Sequence, residues 1–336
     1  MSYTRPKNSV SQREDVDSAY QESIVVVCAA DNNYAMPLAV TMRSAIENLT
    51  SKCKIVFYII DGGISKVNKQ KILKSLIPGS CRVEFIEISN ASIDSISGLH
   101  RSKPAHVSIA SFYRLLLPEL LPEHLEKVIY LDCDLTIEGD LWQLWQADLG
   151  ENYLLAVRDT WIPFISSPPG KLNYQELGID PNEPYFNAGV LVINLKKWRN
   201  DNFSVRAIRY FMENLDYIGL YDQGLLNALF VGKWEQLDAR WNFNVTSFYD
   251  TSSNHYYSWN HSESLLSEDI YNSLINSPYI IHFVSENKPW VSRYCPYKET
   301  FFKYVDKTQW SGWRITIWRR LWRKLFADRS KSIDWI

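Results

Sequence analysis

The chain has 336 residues, of which 46% are hydrophobic and 22% charged, enough to bury one large domain or two modest ones. Its formal net charge of −2 excludes binding to nucleic acid through overall charge. The longest apolar runs, such as Ile24–Ala30, are far too short to span a bilayer as a helix.

Residues 1–22 are polar and charged, lack the apolar stretch of a secretory signal, and are predicted to form a disordered N-terminal segment. The five cysteines (Cys28, Cys53, Cys81, Cys133 and Cys295) are odd in number and form no CxxC pair. That usage fits a reducing compartment, hence a cytoplasmic protein with thiols used as small apolar residues. Asn-x-Ser/Thr triplets at Asn48 and Asn244 carry no weight without a secretory signal. Aromatic residues reach 14%, which suits carbohydrate handling and ordinary cores alike.

From residue 23 the chain alternates strand and helix patterns. Ile24–Ala30 is a β-branched run that reads as a buried strand, closed by the polar turn Asp31-Asn32-Asn33-Tyr34. Pro37 and the apolar spacing at Leu38, Met42, Ala45, Ile46 and Leu49 predict a helix over Pro37–Asn48. Ile55–Ile60 is a second strand, Lys66–Leu76 a helix and Val83–Ile88 a third strand. This alternation predicts an α/β, Rossmann-like, mostly parallel central sheet with flanking helices. No GxGxxG or GxxxxGK[ST] occurs, so the sheet carries no standard phosphate loop. Ala110–Leu116 reads as helical and includes Arg114; Lys127–Leu131 and Leu154–Val157 read as strands. A long irregular stretch, Trp161–Pro184, follows, and loops of that length in compact domains are functional or mobile. Phe186–Asn194 is a strand, Lys196 begins a helical segment, Tyr221–Phe230 is a helix, Asn244–Ser262 a loop and Tyr279–Phe283 a late strand carrying His282.

The C-terminus changes character near Thr308. From Trp313 to Phe326 it reads WRITIWRRLWRKLF, with Ile315, Trp318, Leu321, Trp322, Leu325 and Phe326 on one broad arc of a helical wheel. Arg319, Arg320, Arg323 and Lys324 lie opposite, and Arg314 is out of place. This is the pattern of an in-plane membrane anchor, the alternative being a terminal helix packed on the domain. The predicted domain layout is a segment 1–22, one large α/β domain 23–305 and a basic aromatic tail 306–336 that would lie peripherally at the inner face of the cell membrane.

The chemistry centres on Asp132-Cys133-Asp134. Residues i and i+2 of an extended chain share a face, so both carboxylates leave the strand end together. They repel unless a cation lies between them, although strand-end Asp pairs also form turns and caps. His282, at another strand end, is either structural or a third ligand; with it the set suits Mn²⁺ or Mg²⁺, an imidazole favouring Mn²⁺. Lys288 is placed to reach a diphosphate or is a solvated loop lysine. Asp31 is a turn residue or an acceptor for the N3–H of uracil.

Several ordered stretches resemble the retaining glycosyltransferases of family 8. They are Ala29–Tyr34, Tyr113-Arg114-Leu115, Tyr130–Asp134, Phe186–Leu195, Asp222-Gln223, and His282 through Lys288-Pro289-Trp290. The resemblance implies a GT-A fold, with Mn²⁺ (Mg²⁺ as second choice) held by Asp132, Asp134 and His282. It implies that Ala29, Asp31, Asn33 and Tyr34 line a uridine pocket and that Asp132 also touches the ribose. Arg114, Asn187, Ala188 and Asp222 would hold donor-sugar hydroxyls, Lys288 the diphosphate, and Gln223 would sit beside the anomeric carbon. Asp159 and Ser285 complete the implied substrate-binding set. The sequence departs from the family at Gly224, where lipopolysaccharide-synthesising members often read Asp-Gln-Asp, and at Ser285, where a glycine is usual.

The implied reaction moves glucose or galactose from a UDP-sugar to a saccharide or glycolipid hydroxyl, with retention, in lipopolysaccharide or other cell-surface glycan synthesis. A glutamine amide is a feeble nucleophile, which favours a front-face path over a double displacement, Asp222 being the fallback nucleophile. The loops Asp159–Pro184 and Asn244–Ser262 have the length and polarity to receive the acceptor. The alternatives are a glycogenin-like self-glycosylating primer and a non-catalytic UDP-sugar-binding protein.

Overall fold

The computed structural model describes residues 23–97, 108–168, 172–245, 268–284 and 287–316. The segment 1–22, most of the loop 244–262, Ser285 and residues 317–336 lie outside them. Ten strands are described, β1 (Ser23–Ala30), β2 (Lys54–Asp61), β3 (Cys81–Glu87), β4 (Lys127–Leu131), β5 (Leu135–Ile137), β6 (Leu154–Arg158), β7 (Phe186–Asn194), β8 (Trp234–Gln236), β9 (Phe243–Asn244) and β10 (Ile280–His282). Seven form a sheet in the order β3-β2-β1-β4-β7-β6-β8, and β5-β10-β9 form a small second sheet.

Both faces of the large sheet are covered, as near-continuous β-branched runs require. In β1, Ile24, Val26 and Cys28 enter one core while Val25 and Val27 enter the other. The first core holds α1 (Ala35–Glu47) and the C-terminal α6 (Lys298–Val305). The second holds a 3₁₀ turn (Ile109–Leu116) with α3 (Leu195–Asn200), α4 (Phe203–Glu213) and α5 (Tyr221–Phe230), while α2 (Lys66–Ser75) packs beside α1. The segment containing Arg114 is thus helical, but wound as a 3₁₀ helix.

One strand runs against the rest. β7 is antiparallel to both β4 and β6, whereas the β1–β2, β2–β3, β1–β4 and β6–β8 pairs are parallel. The reason is the connection: from Arg158 the chain returns to the same sheet edge at Phe186, pairing Arg158 with Phe186, and makes no helical crossover. The start of β7 therefore lies at the carboxyl edge of the parallel strands, beside the end of β4.

Polar groups of α1 and of its C-cap Asn48 fix that end of β4. The Thr41 hydroxyl bonds the carbonyls of Cys133 (3.0 Å) and Leu135 (2.9 Å). Ser44 Oγ accepts from Ile137 N (2.9 Å), and Asn48 Nδ2 donates to Ile137 O (2.8 Å) and to the Tyr304 hydroxyl (2.7 Å). The turn from β4 into β5 is thereby tied to a helix on both sides of Asp134.

The packed body runs on past α6. Thr308 and Trp310 are buried, and Gln309 N donates to Ser75 Oγ (2.9 Å) at the end of α2. Of the expected terminal helix only Trp313–Thr316 are described, without regular secondary structure. Arg314 pairs with Asp306 (2.6 Å) and lies over the Phe302 ring (4.4 Å). Among the described residues no helix is long and apolar enough to cross a membrane.

The approach to β4 contains Pro118 and Pro122, and five of its carbonyls are collected by one side chain. Arg199 of α3 donates to Pro118 (3.0 Å), Leu121 (3.1 Å), Pro122 (2.9 Å), Glu123 (3.0 Å) and Leu125 (2.5 Å). Replacing Arg199 by Met should lower the unfolding free energy by about 2–3 kcal/mol. Denaturant titration tests this; an unchanged midpoint and slope would show that the collected carbonyls are satisfied equally well by water.

Candidate active site

Asp132 and Asp134 leave the end of β4 as the i, i+2 spacing predicts, and β10 brings His282 to them. The register pairs His282 with Leu135, the residue after Asp134, and Phe283 N donates to Asp134 O (3.0 Å). His282 Nε2 lies 3.3 Å from Asp134 Oδ1 and 3.9 Å from Asp132 Oδ2. One ligand atom from each of the three lies within 4.8 Å of the others. Two carboxylates and an imidazole nitrogen so placed suit a divalent cation. Lys288 pairs with Asp134 and donates to Phe283 O (2.5 Å). Burial alone would raise the Asp134 carboxyl; Lys288, then His282, outweigh it and hold it well below the usual carboxylate range.

Gly189 makes room for this cluster. A Cβ there would stand 2.3 Å from His282 Cε1, 2.8 Å from Nδ1 and 3.0 Å from Asp132 Oδ2. The β7 backbone is thus the wall against which the imidazole rests, and Asp132 N donates to Gly189 O (2.8 Å). The pairing of β7 with β6 skips here, from Leu191 opposite Ala156 to Asn187 opposite Val157. The bulge releases backbone groups that the site uses: Ala188 N donates to Gln223 Oε1 (3.1 Å), Gly189 N to Asn187 Oδ1 (2.9 Å), and Ala188 O accepts from Arg114 Nη1 (2.5 Å).

Arg114, 3% exposed, is a buried cation beside this cluster. It donates from Nη2 to Asp132 Oδ1 (2.8 Å) and from Nε to Ser111 O (2.9 Å), forms an ion pair with Asp222 Oδ2 (3.0 Å) and lies over the Tyr130 ring (4.3 Å). Burial opposes its charge, but Asp132, Tyr130 and Asp222 outweigh that and raise its pKa. Asp159 is buried too. It accepts from Trp161 N (2.8 Å), Ile162 N (3.0 Å), Asn187 Nδ2 (3.1 Å) and Gln223 Nε2 (3.3 Å). Gln223 is therefore held at both ends of its amide. Burial, with the Asp159 charge, pushes the neighbouring Tyr185 phenol far up.

The first turn of α5 presents Asp222 and Gln223, and Asn227 pins it to β7. Asn227 accepts from Phe186 N (2.8 Å) and donates to Phe186 O (2.9 Å) and Gln223 O (2.9 Å). Leu220 and Tyr221 enter the helix in left-handed conformation (φ 54° and 57°). At Gly224 a Cβ would stand 1.9 Å from Gly219 O, so the backbone occupies the space a side chain would need.

At the end of the neighbouring β1, Ala29 O accepts from the buried Cys133 thiol (3.2 Å). Cys133 faces the core, and its contact with Cys28, then burial, raises its pKa. Asp31 caps the turn by accepting from Asn33 N (2.8 Å), and its other oxygen accepts from Ser108 (2.7 Å). Tyr34 packs edge-on against Trp290 (6.0 Å). The structure places the predicted residues Ala29, Asp31, Asn33, Tyr34, Asp132, Asp134, Asp159, His282 and Lys288 at or just past the ends of β1, β4, β6 and β10, Asn187 and Ala188 at the start of β7, Asp222 and Gln223 at the start of α5 and Arg114 in the 3₁₀ turn, while Ser285 lies outside the described residues.

The sequence profile of glycosyl transferase family 8 matches residues 25–293. The chain belongs to that family. It is 28% identical over 294 residues to general stress protein A of Bacillus subtilis (strain 168), covering 86% of this chain and 96% of that protein. Its structure is similar to that of the galactosyltransferase LgtC in complex with donor and acceptor sugar analogs, with a TM-score of 0.69, 29% identity, and coverage of 90% of this chain and 99% of LgtC. It shares its fold with the glycosyltransferase GlyE of Streptococcus pneumoniae TIGR4, at a TM-score of 0.61 and 24% identity, over 84% of this chain and 60% of GlyE. The protein is a family 8 glycosyltransferase with the GT-A fold of LgtC.

In this glycosyltransferase, sequence reasoning passed over Asn242 and Tyr185. Asn242 Oδ1 bonds His282 Nδ1 (2.9 Å) and its Nδ2 donates to Asn187 Oδ1 (2.9 Å). No local pattern marks it, because its partners are 40 and 55 residues away. Gly189→Ala should displace the His282 ring or the β7 backbone, costing about 1–3 kcal/mol of stability. It should also weaken divalent-metal binding about tenfold or more. Calorimetric Mn²⁺ titration of the folded variant measures the second effect; wild-type affinity would mean that the ring is not seated against Gly189.

Proposed function

We propose that this enzyme transfers a hexose, glucose or galactose, from a UDP-sugar to a saccharide hydroxyl with retention of anomeric configuration. The observation that carries the reading is the juxtaposition of Asp132, Asp134 and His282 with Lys288 on one side and Gln223 on the other. Mn²⁺ is the cation this mixed carboxylate–imidazole set favours over Mg²⁺. Bound there, it would supply charge neutralisation for a departing diphosphate. Lys288 adds a second positive charge, and Arg114, paired with both, aligns Asp132 and Asp222.

The two candidate nucleophiles are poorly suited to attack. The Gln223 oxygen accepts from Ala188 N–H, and the Asp222 carboxylate is neutralised by Arg114. These contacts support a front-face path. The bond from C1 to the diphosphate oxygen breaks, the acceptor oxygen bonds C1 on the same face, and the acceptor proton passes to the departing oxygen. Gln223, Asn187 and Asp159 hold the sugar and the positive charge that develops at C1. The acceptor lies over the loop from Asp159 to Pro184, where Trp161 is 49% exposed two residues beyond Asp159. Release of UDP from a panel of UDP-sugars tests the reading. EDTA should abolish turnover, Mn²⁺ restore it, and Asp134→Ala lower it at least about 100-fold. NMR of the product should show the donor's anomeric configuration. Tight UDP binding with no turnover on any donor would make the protein a binding module, and an inverted product would refute the mechanism.

The basic, tryptophan-rich segment 317–336 is proposed to dock on anionic lipid at the inner face of the cell membrane, where a lipid-linked saccharide would serve in cell-surface glycan synthesis. A chain ending at Thr316 should lose co-sedimentation with anionic vesicles at low salt while retaining UDP-sugar hydrolysis. Undiminished sedimentation would remove the membrane role, and loss of hydrolysis would assign the tail to folding.

A further inference from the structure

A backbone donor decides the orientation of the Asn187 and Asn242 amides beside His282. Gly189 N–H can only donate, so the atom of Asn187 it meets at 2.9 Å is the acceptor Oδ1. Asn187 Nδ2 is then the atom that faces the acceptor-only carboxylate of Asp159 (3.1 Å). Asn242 must donate to Asn187 Oδ1 (2.9 Å), which turns Asn242 Oδ1 toward His282 Nδ1 (2.9 Å). The proton of the neutral imidazole is thereby assigned to Nδ1, and the lone pair of Nε2 faces Asp132 and Asp134. The same chain continues from Asp159 through Gln223 Nε2 (3.3 Å) and Gln223 Oε1 to Ala188 N (3.1 Å).

We infer that Asn242 is the positioning residue that joins the metal-ligating imidazole to the amides on the sugar side, setting the ligand tautomer and the donor-sugar geometry through one hydrogen-bonded chain. The inference rests on the reading of Asp132, Asp134 and His282 as a metal site. Asn242 is 4% exposed, so water does not stand in for it. Its backbone is anchored from both sides. It ends a 3₁₀ turn (Ala239–Asn242) capped by Asp238, which accepts from Arg240 N (2.9 Å), and it leads directly into β9, which pairs with β10 at Ile281 and His282. An amide at this length can accept from an imidazole N–H and donate to a second amide at once. A carboxylate can only accept, and an alkyl group does neither.

That difference separates the two roles. In Asn242→Leu the imidazole loses its acceptor and Asn187 loses a donor. The affinity for Mn²⁺ in saturating UDP, read from the EPR signal of free Mn²⁺, should fall about 10–100-fold, and kcat should fall with it. In Asn242→Asp the carboxylate still accepts from His282 Nδ1. Mn²⁺ affinity should stay within about threefold of wild type. The carboxylate now opposes Asn187 Oδ1, acceptor against acceptor, so kcat for UDP-sugar hydrolysis should fall about tenfold or more at saturating Mn²⁺. Retained metal affinity in Asn242→Asp also shows that this variant is folded at the site. Wild-type Mn²⁺ affinity in Asn242→Leu, wild-type kcat in Asn242→Asp, or equal loss of metal affinity in both variants would overturn the inference. Wild-type protein that fails to bind Mn²⁺ with UDP would instead overturn the metal reading beneath it.

Discussion

Four carboxylates, Asp132, Asp134, Asp159 and Asp222, meet at one edge of the sheet, and three of them are buried. Two unit charges about 4 Å apart repel by about 4 kcal/mol at an effective dielectric near 20, so the edge folds only if each charge is answered. The answers are different in kind. Arg114 is shared between Asp132 and Asp222, Lys288 sits on Asp134, and Asp159 is held by N–H groups. Arg114 cannot be exchanged for lysine without loss. Its planar fork serves two carboxylates and the Ala188 carbonyl from above the Tyr130 ring, a geometry that a point charge on a flexible stem does not reproduce.

The backbone makes this arrangement possible through a single reversal. Had β7 entered by a helical crossover, its first residues would lie at the opposite edge of the sheet. Because it returns from β6 antiparallel, Asn187-Ala188-Gly189 begin where Asp132 and Asp134 end. The skipped pairing with β6 then frees two N–H groups and a carbonyl, which go to Gln223, Asn187 and Arg114. A regular ladder would have spent those groups on strand pairing. Gly189 completes the device by removing the one Cβ that would collide with His282.

What could be read from the sequence was local or periodic. The β-branched runs, the i, i+2 spacing of Asp132 and Asp134, and the polar residues that stop each strand all act over a few positions. The order of motifs identified the family, and with it a fold that no single motif implied. The reversal of β7 was not legible, because a strand buried on both faces has the same apolar pattern in either direction. The 3₁₀ winding around Arg114 differs from an α-helix by one residue in its hydrogen bonds, which an eight-residue pattern does not resolve. Asn242 was invisible for another reason: its role is defined by two partners contributed by other strands. Arg314, which spoiled the amphipathic wheel, proves to be bonded to Asp306 at the edge of the folded body.

Gly224 shows how a departure from a family pattern is carried by the backbone. A carboxylate at this position would need a Cβ where the Gly219 carbonyl oxygen stands, 1.9 Å away. The loop closes that far only because Leu220 and Tyr221 adopt left-handed conformations, at a cost on the order of 1–2 kcal/mol each. Asn227 offsets part of this by bonding both backbone groups of Phe186 and the carbonyl of Gln223, which locks the first turn of α5 onto β7. The glycine at 224 and the left-handed turn before Asp222 therefore go together in this chain. Gln223 keeps its two anchors, Ala188 N–H and Asp159, with a glycine as its neighbour.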